Sequence, residues 1–400
     1  MRHLQLTEYK TESAFELSVE ERDFLRDNKI DVAPTQGALG RYDLTPGSWI
    51  GALSAGSLAV EIRPKIPLDR VMFLISYALD PKKWRDTGFD FGVQDSLVEA
   101  VVPGFVRQVR RAFRRGVLQG YRVEEDALAT VRGRIRFDDQ IRHRFGIAPP
   151  IEVRFDEFTE DIDPNRLIKA AIRRLRRMRH RLQSTQSLLR EFDGALASVS
   201  DVEYHRARLP AITWTPLNSH YRPAVELAKL ILQSCSFELR HGRVRSTSFL
   251  VDMNRVFEDF VVTALREALG LTMHTLRQGA TLHLDTANQI DVRPDLSWWE
   301  ASRYRFVGDV KYKRLDAGEI KHADLYQLLS YTIAADLPQG LLIYAAGERD
   351  PGAHEIVHVG KRLSIETLEL AGTPDEILGQ IGRLAARIRR MKSRERDRAA

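Results

Sequence analysis

The chain has 400 residues, 43% of them hydrophobic and 29% charged, with 25 Gly and 16 Pro, a folded composition too long for one average domain. Collagen-like, low-complexity and wholly disordered readings are excluded, and no run of about 18 uncharged apolar residues exists to span a membrane. Lys and Arg number 61 against 55 Asp and Glu, a net +6 carried mostly by clustered arginine, whose fork suits phosphate oxygens and leans toward nucleic acid.

The opening MRHLQLTEYKTESAFELS carries acids where a secretion signal needs an apolar stretch, and a cytoplasmic location is expected. The single Cys235 can form no internal disulfide and anchor no cysteine-based metal centre alone. Residues 1–155 read as β-rich: Pro46-Gly47 marks a turn and Leu58-Ala-Val-Glu-Ile62 alternates before Pro64. Helices are predicted over 68–79 and 96–115.

Residues 156–250 read as a helical, basic connecting region. Asp163 is the expected N-cap with Pro164 at the first helical position, and Leu167, Ala171, Leu175, Met178 and Leu182 fall on one stripe. Arg173, Arg174, Arg176, Arg177 and Arg181 lie opposite, as a phosphate-facing surface or as the solvated side of a connecting helix. A second helix is predicted over 223–234, and the polar stretch 238–248 places a boundary near 250.

Over 251–400 the predicted order is helix 254–269, strands 271–276, 281–284, 289–296 and 303–313, helix 323–335 and strand 340–345: a mixed sheet flanked by helices, ending in a basic helix or tail from about 375. There is no GxxxxGKS/T, no Gly-rich dinucleotide loop, no HExxH and no GxSxG, so the chain is read as having no nucleotide site of its own.

Chemistry concentrates in Asp291-Val-Arg-Pro-Asp295 and Gly308-Asp309-Val310-Lys311-Tyr-Lys313. Strand alternation projects Asp309 and Lys311 together, and if the strands 289–296 and 303–313 are neighbours, Asp295 and Asp309 converge. Two carboxylates with open water positions suit Mg²⁺, and a lysine beside them can orient or deprotonate the attacking water at a phosphodiester. Asp-x-Lys alone recurs by chance; the upstream Pro-Asp strengthens it. Glu258 sits on the margin of the stripe Val256, Phe257, Phe260, Val261, Ala264 and Ala268, where it can reach a site or remain a surface acid, while Asp259 points outward. Gln327 and Tyr331 share a column with Asp324, opposite a stripe of Leu325, Leu329 and Thr332, and either line a site or form an ordinary exposed face.

Glu258, Asp295, Asp309-x-Lys311 and Gln327-x-x-x-Tyr331, in that order on helix, strand, strand and helix, resemble the PD-(D/E)xK nucleases of the RecB-like branch with its QxxxY motif. The resemblance extends to the McrC family, nuclease subunits of McrBC-type restriction systems, through Leu58-Ala-Val-Glu-Ile-Arg-Pro-Lys-Ile66, Val131-Arg-Gly-Arg-Ile135, Phe155-Asp-Glu-Phe-Thr-Glu-Asp161 with Asn165-Arg166, Asn218-Ser-His-Tyr-Arg-Pro223 and Met253-Asn-Arg-Val-Phe-Glu258.

That resemblance implies a Mg²⁺-dependent endonuclease of double-stranded DNA, with Mn²⁺ as a substitute metal, which docks by its β-rich N-terminal part to a McrB-like AAA+ GTPase hexamer and stimulates it. Asp295, Asp309, the Val310 carbonyl and, through water, Glu258 would hold the metal. Lys311 would position and activate water, and Gln327 and Tyr331 would orient the site or the DNA backbone. Arg173, Arg174, Arg177, Lys313 and the basic C-terminal tail are the expected phosphate contacts, and Arg41, Arg63, Arg132 and Arg134 the expected partner contacts. The alternatives are a catalytically silent assembly factor that activates GTP hydrolysis, and a stand-alone RecB-like nuclease.

Overall fold

The strand Arg2–Thr7 pairs in parallel with Leu58–Arg63, and the helix Leu68–Leu79 packs on Met253–Leu269, so the first residues of the chain share a core with its C-terminal part. The computed structural model describes residues 2–79, 81, 97–177, 183–205, 208–240, 244–313, 322–345 and 352–399. Contacts divide the chain into two units, Met1–Leu97 with Leu250–Ala400, and Val98–Phe249. The expected segments 1–155, 156–250 and 251–400 are thereby regrouped: the boundary near 250 falls where it was placed, but 1–97 and 98–155 belong to different units.

In the first unit, Arg2–Thr7, Leu58–Arg63 and Trp49–Ala55 form one ribbon, and Glu12–Glu16, Arg41–Thr45 and Asp31–Pro34 a second sheet. Leu6, Leu25, Ile30, Leu44, Leu58 and Ile62 close a core between them. A helix unanticipated from the sequence, Val19–Asp27, is started by a capping box in which Ser18 Oγ accepts from the Glu21 N–H and Glu21 accepts from the Ser18 N–H.

The C-terminal part builds a six-stranded mixed sheet in the order Leu276–Arg277, Leu296–Glu300, Arg303–Lys311, Gln339–Ala345, Lys361–Leu368, Gly352–Ile356. Its three central strands are parallel and its edges antiparallel, a mixed α/β architecture as expected. Met253–Leu269, capped by the Asp252 side chain at Asn254 N and stopped by Gly270 in the left-handed region, packs near Arg303–Lys311. Phe260 meets Phe73 and Tyr77 edge-on at 5.4 and 5.5 Å, which locks this helix to Leu68–Leu79. The basic C-terminal segment is the helix Pro374–Ala399, whose Ile377, Ile381, Leu384, Ile388 and Met391 are buried. Among the described residues no helix is long and apolar enough to cross a membrane.

The second unit carries the strands Gly120–Leu128, Ile151–Thr159 and Arg134–Ile135 and the helices Phe137–Arg144, Asp163–Arg176, Gln183–Ala195 and Arg222–Ser234. The polar stretch 238–248 falls partly in a hairpin, Cys235 pairing with Phe249, and Cys235 is buried as a free thiol. Ile162, not Asp163, occupies the N-cap and offers no side-chain cap; Asp163 and Pro164 open the helix. Leu167, Ala171 and Leu175 form the predicted buried stripe, while Met178, Arg181 and Leu182 lie outside the described residues, as does Ser96.

The segment Phe155–Asp161 with Asn165 and Arg166 acquires a physical role here. Asp161 is a buried hub: its oxygens accept from Arg166 Nε at 2.7 Å, the other Arg166 nitrogen at 2.8 Å, Ser200 N at 2.8 Å, Ser200 Oγ at 2.5 Å, and from Arg122. Asn165 Nδ2 donates to the Leu118 and Glu160 carbonyls, satisfying two backbone acceptors at the helix start. Gly133, at φ +74°, is required because a Cβ there would sit 2.4 Å from the Arg154 carbonyl oxygen.

Asp161→Ala removes the buried carboxylate shared by Arg122 and Arg166, leaving them only the more exposed Glu124 and Asp163, and the Ser200 donors unpaired. A stability loss of about 3 kcal/mol is expected in urea unfolding. A variant as stable as the parent chain would remove Asp161 as the organising centre of this unit.

Candidate functional site

The strand Arg303–Lys311 lies inside the sheet, and its alternation sends Val307, Asp309 and Lys311 to the face covered by the helix His322–Ala334. Asp309 is 0% exposed. Lys311 Nζ stands 2.7 Å from Asp309 Oδ2, an ion pair by distance, yet neither Asp309 oxygen receives a well-directed hydrogen bond. Gly308 fixes the strand's depth: a Cβ there would lie 2.9 Å from the Leu341 carbonyl oxygen of the neighbouring strand.

The single strand expected over 289–296 is two short ones. Asp291–Val292 pairs with Leu282–His283, Pro294 interrupts, and Leu296–Glu300 then pairs with Arg303–Lys311. Asp295 thus sits at the entry of its strand rather than within an alternating run. It still converges on Asp309: its Oδ2 accepts from Val310 N at 2.9 Å, and burial, then the charges of Asp309 and Glu258, push its carboxyl up to about 8. N–H and C=O of one extended residue point to the same edge, so the Val310 carbonyl also faces the Asp295 side, past the last paired residues Leu296 and Gly308.

Glu258 approaches from the helix Met253–Leu269, half-buried, its pKa raised by burial, then by Asp259 and Asp309. Gln278 Nε2 donates to Glu258 Oε1 at 2.9 Å and to Asp259 Oδ1 at 2.8 Å, so Asp259 shares this bridge instead of simply pointing outward. At Lys311, burial pulls the pKa down but Asp309, Asp295 and Asp324 outweigh it and hold the ammonium above its usual value.

Gln327 and Tyr331 do share a column, Gln327 Nε2 donating to Tyr331 Oη at 2.6 Å. The column is not opposite the core, however: Asp324, Leu328, Tyr331 and Thr332 are the buried side. The cause is Gly340, where a Cβ would come within 2.7 Å of Thr332 and 2.9 Å of Leu328, so the helix rests directly on a bare backbone. Tyr331, 3% exposed, is raised above the usual tyrosine range by burial, then by Asp309 and Asp295, which places its hydroxyl in their field.

These residues fit a hard divalent cation. Two adjoining buried carboxylates, one of them with only the Lys311 ammonium against it and no well-directed hydrogen bond, are donors of the type Mg²⁺ takes. Among the described residues no group of three or more His, Cys, Asp or Glu side chains forms a cage, so water would complete the shell, with Glu258 reaching it only through water.

Many of the expected phosphate contacts have partners within the fold. Lys313 donates to buried Asp324 at 3.2 and 3.3 Å, Arg173 pairs with Asp201 at 2.6 Å, and Arg174 donates to the Cys235 carbonyl at 2.7 Å. Arg176 pairs with Asp193, and Arg177 is exposed. In the C-terminal helix Arg387 pairs with Glu366, Arg389 donates to the Ala268 carbonyl, and Lys392 pairs with Glu300; side chains beyond it lie outside the described residues. Of the expected partner contacts, Arg41 pairs with exposed Glu16 and Arg63 is exposed in the first unit. Arg132, over the Phe155 ring at 4.1 Å, and exposed Arg134 belong to the second.

Sequence reading missed the brace behind the site. Tyr312, fully buried, donates to Glu8 Oε1 at 2.8 Å, and the Lys65 N–H donates to the same oxygen at 2.7 Å. Lys65 Nζ lies 4.0 Å from the Tyr312 ring centroid, and burial raises the pKa of Glu8. Its only sequence trace is the apolar-to-acid change at the end of the first strand, too short a signal to interpret alone.

The profile of the family described as "McrBC 5-methylcytosine restriction system component" matches residues 44–345. A chain in the solved assembly of Thermococcus gammatolerans McrB AAA+ hexamers with bound McrC is similar in fold, with TM-score 0.55 and 16% identity over 97% of this chain and 100% of that one. A second structure, the McrBC complex of the same organism, matches at TM-score 0.41 and 18% identity over 67% of this chain and 88% of that one. No curated protein matches.

Tyr312→Phe removes a donor from a carboxylate that stays buried. A loss of about 1–3 kcal/mol is expected in urea unfolding. Unchanged stability would show that Glu8 and Tyr312 do not brace the strand.

Proposed function

From the premise that this chain belongs to the McrBC 5-methylcytosine restriction system component family, we propose that it is the Mg²⁺-dependent DNA-cleaving subunit of such a system, with the PD-(D/E)xK arrangement in its C-terminal sheet. The observation that carries the reading is Asp309, fully buried beside Asp295, with the Lys311 ammonium 2.7 Å from one oxygen and no well-directed hydrogen bond to either. Asp295, Asp309 and the Val310 carbonyl would hold the ion. Bound there, Mg²⁺ would polarise the scissile phosphate and lower the pKa of water.

The chain's own groups supply the rest. Lys311 donates through Nζ to the incoming water or a phosphate oxygen, next to the carboxylates that fix its position. Glu258, tied by Gln278, accepts from water at the edge of the site. Tyr331, oriented by Gln327, offers its hydroxyl to the DNA backbone. The sheet and the covering helix keep bulk water from Asp309.

The motor belongs to another chain. In the Thermococcus assembly McrC is bound to McrB AAA+ hexamers, and this sequence has no phosphate-binding loop, so an AAA+ GTPase partner is proposed here. The second unit has a surface suited to a protein partner: the rings of Tyr121 and Phe158 meet tilted, 5.1 Å apart, on an exposed ribbon face, and the helix Phe137–Arg144 shows Phe137, Ile141 and the following Phe145 at 68%, 65% and 87% exposure.

The test is cleavage of cytosine-methylated and unmethylated plasmid by the full chain with Mg²⁺, with and without the AAA+ protein and GTP. Cutting only in the complete mixture, abolished by Asp309→Ala with GTP turnover retained, is the expected result. If GTP turnover rises while wild type and variant leave every plasmid intact, the chain is an activator and not a nuclease. Mg²⁺ at a hundredfold excess over its Kd should also stabilise the wild type by about 2.7 kcal/mol and the Asp309→Ala chain far less.

A further inference from the structure

Against the helix Met253–Leu269 the first unit contains a groove of about 610 Å³, lined in part by Arg266, Met273, His274, Arg277, Thr281 and Tyr304, with no carboxylate among its lining residues. Arg266 Nε donates to the Leu276 carbonyl and Arg277 Nε to the His274 carbonyl, both at 2.9 Å, and the Arg277 guanidinium lies 5.2 Å from the Trp299 ring centroid. Those single bonds aim each guanidinium and leave its terminal nitrogens available. Among the described residues neither arginine forms an ion pair, unlike Arg122, Arg166, Arg173, Arg176 and Arg387.

The groove is fastened to the carboxylates of the site. Gln278, which also lines it, holds Glu258 and Asp259, and Gly279 N donates to the Pro294 carbonyl at 3.1 Å, one residue before Asp295. Leu276 and Arg277 pair with Trp298 and Ser297, so the wall is an edge strand of the sheet that carries Asp309. Tyr304, packed edge-on to Trp299 at 4.7 Å, and exposed Met273 supply apolar surface.

We infer that this groove holds the DNA strand adjoining the phosphate that is cut, with Arg266 and Arg277 on backbone phosphates and Tyr304 and Met273 against a sugar or base. The inference rests on the nuclease reading above for which phosphate is cut. Its own content is phosphodiester binding, which is measurable without cleavage. Two guanidiniums without carboxylate partners, beside apolar surface and with no acid in the lining, match a polynucleotide backbone. They match a neutral small molecule poorly.

The experiment measures binding of a short fluorescent DNA duplex to the full-length Asp309→Asn chain across a salt series, without the AAA+ protein. Adding Arg277→Gln is expected to weaken binding by about 10-fold and to lower the slope of log Kd against log salt by about 1. Thr281→Glu, at an exposed lining position, places a carboxylate in the groove without touching the core and should weaken binding similarly, so the test does not depend on one substitution folding well. Absence of duplex binding by Asp309→Asn, or affinity and slope in both groove variants unchanged from the Asp309→Asn parent, overturns the inference, as does competition by an acidic peptide but not by DNA. Cleavage by the wild type with unaltered binding by the groove variants would leave the nuclease standing and remove only the groove. Duplex binding that falls in the groove variants while the wild type never cuts would do the reverse.

Discussion

A carboxylate withdrawn from water is costly for a fold to keep, and this structure keeps one at Asp309 with a single ammonium, that of Lys311, to balance it. The sheet makes the arrangement unavoidable. Arg303–Lys311 is bonded to an antiparallel neighbour on one side and a parallel one on the other, so Asp309 cannot rotate out without breaking both ladders. Lys311 compensates part of the charge, and Asp295 responds by favouring its proton. Three groups are thus held in states set by one another. On the function proposed above, a divalent cation would satisfy the two carboxylates, and the Lys311 ammonium would be left to face the substrate.

The placement of that strand depends on residues that carry no charge and on some far away in sequence. Gly308 lets the Leu341 carbonyl approach, Gly340 lets the helix with Tyr331 settle, and Glu8, just past the first strand, holds Tyr312 next to Lys311. The first 97 residues therefore belong to the mechanics of the site.

Much of the chemistry was legible because it obeys local periodicity. Asp309 and Lys311 two apart on a strand, and Gln327 and Tyr331 four apart on a helix, meet as alternation and helical spacing require. What failed was anything decided by a partner. Asp295 converges because Pro294 ends one short ribbon and a new strand begins, not because 289–296 alternates. Tyr331 lies on the buried side because of a glycine in another strand. The capping box Ser18-x-x-Glu21 was readable and marks the one helix that local rules alone should have found.

Arginine gives the sharpest contrast between density and availability. By sequence, the helix Asp163–Arg176 and the C-terminal helix are the basic surfaces, and a phosphate-binding reading goes to them first. Their cations are largely engaged: Arg173 by Asp201, Arg176 by Asp193, Arg387 by Glu366, each acid supplied from another segment. Such pairs add little attraction for a distant polyanion, since each cation's field is largely cancelled by its own acid. Arg266 and Arg277 are sparse in sequence, but backbone carbonyls orient them and, among the described residues, neither forms an ion pair, Asp259 reaching Arg266 only through its field. Which surface meets a phosphate is therefore decided by charge left over after folding, and in this unit that charge lies beside the carboxylates of the site.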